Sequence, residues 1–105
     1  MTLDQIEELL KTTGLPVVYR AWPAGRAPPL PWIAYHENES GSDNFAADGV
    51  VYYQVNGLTV ELYTQNKEPE TEAKVEQALA SVFWQKTEYH LDGERCHEIV
   101  YECEV

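Results

Sequence analysis

Basic residues are scarce in this 105-residue chain: seven Lys and Arg stand against eighteen Asp and Glu, a formal net charge of −11. Phosphate binding needs clustered Lys and Arg, so a free subunit of this composition is not expected to bind nucleic acid. Adhesion to an anionic membrane is excluded by the same argument. No apolar run approaches the roughly 18 residues of a membrane-crossing helix. The start, Met1-Thr2-Leu3-Asp4, lacks a basic segment followed by an apolar one, so no signal peptide is expected. Motifs of chemistry are missing as well: no CxxC, HxxxH, HExxH, GxSxG, P-loop or GxGxxG pattern occurs. Neither a catalytic site, a cofactor nor a metal site is therefore expected. His36, His90 and His97 have no zinc-site spacing, although His90 and His97 flank Asp92-Gly93 and are placed to face each other across a hairpin. There are two cysteines, Cys96 and Cys103, seven residues apart in one expected strand. That spacing separates them by about 23 Å and turns them to opposite faces, so free thiols are expected.

What is present is ordinary globular material. Apolar residues make up 44% and charged residues 24%, and the length suits one domain spanning 1–105. Residues 2–13 read as a helix. Thr2 and Gln5 have capping-box spacing, and Leu3, Ile6, Leu9 and Leu10 share a face. Gly14 and Pro16 stop it. Residues 17–20 read as a short strand. Pro23, Pro28, Pro29 and Pro31 make 22–31 a rigid extended connection.

Residues 32–37 form the next expected strand, with Ile33 and Tyr35 on one face and Trp32 on the other. Residues 38–49 read as a long polar, acidic loop. Residues 50–64 read either as one long strand, with Gly57 at a bulge or close approach, or as a hairpin turning at Asn56-Gly57; the long strand is the preferred reading. Pro69 opens a second helix with Val75, Ala78, Leu79, Val82 and Phe83 as its apolar face. Residues 85–91 and 95–105 follow as strands joined at Asp92-Gly93. Ile99, Tyr101, Cys103 and Val105 face inward, and Glu98, Glu102 and Glu104 face outward. The sum is an α+β domain. A mainly antiparallel sheet of four or five strands carries two helices on one face.

The charge is unevenly placed. Residues 1–30 are balanced, so the whole excess lies in 31–105. Between Ala27 and Asn66 stand Glu37, Glu39, Asp43, Asp48 and Glu61, without a Lys or Arg. Glu37, Glu39, Asp43 and Asp48 are the candidate channel-lining or docking acids. Trp32, Tyr53 and Tyr63 lie on the sheet face opposite the core residues, where aromatic side chains favour an interface. They are the candidate subunit contacts.

These segments resemble a known group. Leu3-Asp4-Gln5-Ile6, Gly14-Leu15-Pro16-Val17 and Leu30-Pro31-Trp32-Ile33-Ala34-Tyr35 carry the likeness in the first half. Phe45-Ala46-Ala47-Asp48-Gly49, Glu61-Leu62-Tyr63-Thr64, Lys67-Glu68-Pro69-Glu70 and Trp84-Gln85-Lys86-Thr87-Glu88 carry it in the second. The chain resembles the tail terminator, or tail-completion, proteins of long-tailed phages and prophages.

The resemblance implies a small α+β subunit that closes into a six-membered ring at the head-proximal end of the tail tube. The ring would end tube polymerisation and offer the head-joining surface. Its implied partners are further copies of itself, the major tail tube protein and the head-completion protein. DNA would pass through the lumen without specific binding, slid past by an acidic wall. Assembly would take place in the host cytoplasm, and the final place is the head–tail junction of the virion. The second helix and an exposed sheet edge are the expected ring contacts. Two alternatives remain: a head-completion or stopper subunit of the connector, and an acidic cytoplasmic binding protein that mimics DNA.

Overall fold

The computed structural model describes residues 1–38, 55–93 and 96–105. Its elements run α1 (Leu3–Lys11), β1 (Val17–Tyr19), β2 (Trp32–Glu37), β3 (Gly57–Thr64), α2 (Pro69–Ala78), β4 (Phe83–Leu91) and β5 (Cys96–Glu104). The strands form one five-stranded sheet in the order β1-β2-β3-β5-β4. Only β1 and β2 run parallel; every other neighbour is antiparallel. This is the α+β architecture expected from the sequence.

Local chemistry starts and stops the helices. The Thr2 side chain accepts from the Gln5 N–H at 3.2 Å, and the Gln5 side chain accepts from the Thr2 N–H at 2.9 Å. This closes the capping box and satisfies two donors that the first turn leaves orphaned. Gly14 takes φ +80°, the left-handed conformation that ends a helix at low steric cost. Pro69 stands at the start of α2, where its missing N–H costs no hydrogen bond.

Both helices cover the same face of the sheet. Ile6 and Leu10 of α1, Val75 of α2 and Leu79 at its C-terminal cap are buried against Ile33, Tyr35, Leu58, Val60, Leu62, Ile99, Tyr101 and Cys103. These sheet residues are alternate positions on three adjacent strands, aligned by the register Ile33↔Leu62↔Ile99 and Tyr35↔Val60↔Tyr101. Burial of that apolar layer is the main favourable term in the fold. An ion-pair network then holds α2 to β4 and β5. Glu72, 3% exposed, meets Lys67 Nζ at 2.8 Å and Lys86 Nζ at 3.0 Å. Lys86 also reaches Glu76 at 2.7 Å, and the Tyr101 hydroxyl donates to Glu76 at 2.9 Å. Burial alone would raise the Glu72 pKa, but the two ammonium groups outweigh it and hold the carboxyl below its ordinary range.

Several sequence expectations are corrected. Phe83 does not belong to the apolar face of the second helix. The helix ends at Ala78, and Phe83 opens β4 opposite Glu104, 60% exposed. Pairing with β5 takes over the backbone there, against a continuing apolar periodicity. Arg20 falls outside β1, with φ +66°. Of the strand expected over 50–64, Gly57–Thr64 is β3, Val55 and Asn56 lie outside any strand, and 50–54 lie outside the described residues. A hairpin at Asn56-Gly57 is also excluded, because β2 and β5 occupy both sides of β3. Gly57 does mark a close approach: a Cβ there would stand 2.8 Å from Asn38 Nδ2. Cys96 and Cys103 are both buried and are not joined by a disulfide.

Candidate functional site

With both helices on one side, the opposite face of the sheet is the surface left for interaction. Register assembles it row by row. Trp32, Tyr63, Glu98 and Tyr89 form one row across β2, β3, β5 and β4. Ala34, Glu61, Val100 and Thr87 form the next, followed by His36, Thr59, Glu102 and Gln85. Gly57, Glu104 and Phe83 close that end. The face mixes aromatic and acidic side chains. Its most exposed large apolar groups, Phe83 at 60% and Tyr89 at 49%, both stand on β4.

At one end the aromatic side chains pack together. The Trp32 and Tyr63 rings lie 4.5 Å apart at an interplanar angle of 36°, and Trp22 meets Trp32 edge-on at 5.8 Å. Trp22 comes from the proline-rich connection, which is thereby anchored to this face. A groove of about 360 Å³ remains between Ala27, Pro28, Leu30, Trp32, Tyr63 and Cys96. Trp32 and Tyr63, expected from the sequence on the face opposite the core, stand opposite each other in the register and pack as a pair.

Beside them sits a carboxyl pair. Glu61 and Glu98 are diagonal neighbours across β3 and β5, because Glu98 stands opposite Tyr63. The Tyr63 hydroxyl lies 3.0 Å from a Glu98 oxygen and 3.4 Å from a Glu61 oxygen. Half-burial, followed by the hydrogen bond to Glu98 and the charge of Glu98, pushes Glu61 up to about 7, against a smaller lowering by Tyr63. Burial and the two carboxylates together push the Tyr63 phenol well above its ordinary value. Burial and the neighbouring Glu98 thus favour the protonated form of Glu61 up to about 7. The sequence marks Glu61 and Glu98 as acids on outward positions, but the register that makes them neighbours is a property of the sheet.

Glu37 lies on the helix-covered side of the pleat, at the end of β2, and is not part of the open face. Arg20 Nη2 meets its Oε1 at 2.6 Å, and the Tyr19 hydroxyl donates to the same oxygen. Burial would raise its pKa; hydrogen bonds from Tyr19, its own backbone N–H and Arg20 outweigh that and hold it below the ordinary carboxylate value. Its charge is thus paired within the subunit. Glu39, Asp43, Asp48 and Tyr53 lie outside the described residues, as does most of the loop at 38–49.

Across the β4–β5 turn, the His90 and His97 rings face each other at 4.7 Å, and His90 Nε2 meets Asp92 at 2.8 Å. Among the described residues, no group of three or more His, Cys, Asp and Glu is arranged to hold a metal ion. Among the same residues, no helix is long and apolar enough to cross a membrane. The open face offers broad contact area, aromatic anchors and negative charge, which is the chemistry of an interaction surface. Comparison of the chain with family models, curated proteins and solved structures finds no match to any of them.

Proposed function

We propose that the chain is a structural subunit of a long-tailed phage, forming a six-membered ring at the head-proximal end of the tail tube. The ring ends tube polymerisation and provides the head-joining surface. Its partners are other copies of itself, the major tail tube protein and the head-completion protein, and DNA passes its lumen without specific contacts. Assembly occurs in the host cytoplasm, and the ring then resides at the head–tail junction.

The resemblance of the sequence segments is the origin of this reading. The observation that carries it further is the one-sided layering of the fold. Two helices cover one sheet face, and the other face presents Phe83 and Tyr89 beside Glu98, Glu102 and Glu104. Such a surface suits subunit contacts, where aromatic anchors supply area and acids set register and partner.

Electron microscopy of particles from an induced lysate lacking this gene tests the proposal. Abnormally long, headless tail tubes are expected of a missing terminator. Tails of normal length beside unattached heads would move the assignment to the head-side connector. Normal infectious virions would overturn the structural role altogether.

A further inference from the structure

The sheet has two edges, and they are treated differently. On one side β1 is only three residues long, ended by Arg20 in a left-handed conformation. Short or distorted edges of this kind resist further pairing. On the other side β4 runs nine residues, Phe83–Leu91, about 30 Å. It pairs with β5 without a bulge along its whole length, contains no proline, and is exposed at seven of its nine positions. Alternate residues of such a strand point both N–H and C=O away from the sheet. Its one lysine lies on the helix-covered side of the strand, where Lys86 meets Glu72 and Glu76. Among the described residues no other strand pairs with this side of β4.

We infer that β4 is a self-pairing edge, at which two copies of this chain join antiparallel about Thr87 into one continuous ten-stranded sheet. The register follows from the strand itself. In a two-fold antiparallel pair, some residue must lie opposite its own twin. With Thr87 at the axis all nine residues overlap. Lys86 then faces Glu88 of the second copy, and Glu88 faces its Lys86, giving two opposite-charge pairs. Phe83 meets Leu91, Trp84 meets His90, and Gln85 meets Tyr89. The exposed Phe83 ring thereby gains an apolar neighbour.

Moving the axis by one residue sets Lys86 against Lys86 or Glu88 against Glu88, which is repulsive. Moving it by two shortens the overlap from nine residues to five. Lys67 already holds Glu88 at 3.0 Å, so the pairing would join the ion networks of both copies through Lys86 and Glu88. This contact is isologous and closes on itself. It is separate from the head-to-tail contact of a ring and does not rest on the phage reading.

Cysteine scanning of the full chain tests the register. At the axis, Cα atoms of the twin residues stand about 4.5–5.5 Å apart, within the range that a disulfide bridges. Thr87→Cys should therefore cross-link into a species of twice the 12.0 kDa chain mass under mild oxidation. Gln85→Cys, about 13 Å from its twin, should not. Light scattering of the unmodified protein should show the same doubled mass without oxidant. Charge reversal gives an independent readout. Lys86→Glu and Glu88→Lys should each halve that mass alone, and an equimolar mixture should restore it, because every cross-strand pair in the mixed dimer is again opposite in charge.

Failure of Thr87→Cys to cross-link, or equal cross-linking by Gln85→Cys, would overturn the pairing even if either charge variant failed to fold. A six-fold mass without the Thr87→Cys cross-link would also overturn it, while leaving the ring proposal standing.

Discussion

Replacing Glu61 by Gln should stabilise the protein at alkaline pH and leave it nearly unchanged in mild acid. In the folded chain Glu61 holds its proton up to about 7, because it is half-buried and hydrogen-bonded to Glu98. An unfolded glutamate releases its proton at about 4.3. Between these values the native state binds more protons than the unfolded state, so stability falls as pH rises. The contribution is complete below about 4.3 and is lost as pH passes through about 7.

Each pKa unit corresponds to about 1.4 kcal/mol, so the full displacement would exceed 3 kcal/mol. Glu61 keeps part of its surface in water, and screening reduces the effect to about 1–2 kcal/mol. Glutamine retains the shape and an N–H donor for Glu98 but carries no charge at any pH. E61Q should therefore differ least from the parent at pH 5 and exceed it by about 1–2 kcal/mol at pH 8, a rise in Tm of roughly 4–8 °C per kcal/mol. Urea unfolding of both proteins at pH 5, 6, 7 and 8 measures the difference, with the slope checked for equality. A difference that is constant across this range, or a variant less stable at pH 8, would refute the raised pKa of Glu61.

Glu72→Ala should cost about 1–2 kcal/mol at pH 7, since it strips a buried carboxylate from Lys67 and Lys86, both of which retain access to water. Because the Glu72 carboxyl is held below its ordinary range, the deficit should shrink as pH falls through that range, in urea titrations at pH 7 and pH 3. Gly14→Ala should lower stability by about 1 kcal/mol through left-handed strain alone, as no atom lies within 4 Å of the added Cβ; calorimetry should show a single transition at lower temperature.

Some features of this protein were legible in the chain because their causes are local. Thr2 and Gln5 cap a helix from three residues apart, Gly14 stops it, and Pro69 begins the next. Alternation along 58–64 and 99–103 identifies the buried side of two strands from a period of two. That Trp32 and Tyr63 lie across from the core side follows from the same parity.

The rest depends on contacts between residues far apart in sequence. The pKa of Glu61 is raised by Glu98 only because β5 pairs with β3 in the register that sets Tyr63 against Glu98. Glu37, one of a run of acids in the sequence, is neutralised by Arg20 across a seventeen-residue separation. Phe83 continues the apolar spacing of the second helix, yet pairing with Glu104 makes it the first residue of an exposed edge. Parity along one strand says which way a side chain points. Only the order and register of the strands decide what it meets, because the energy that selects them belongs to the assembled layer of sheet and helices and to no segment alone.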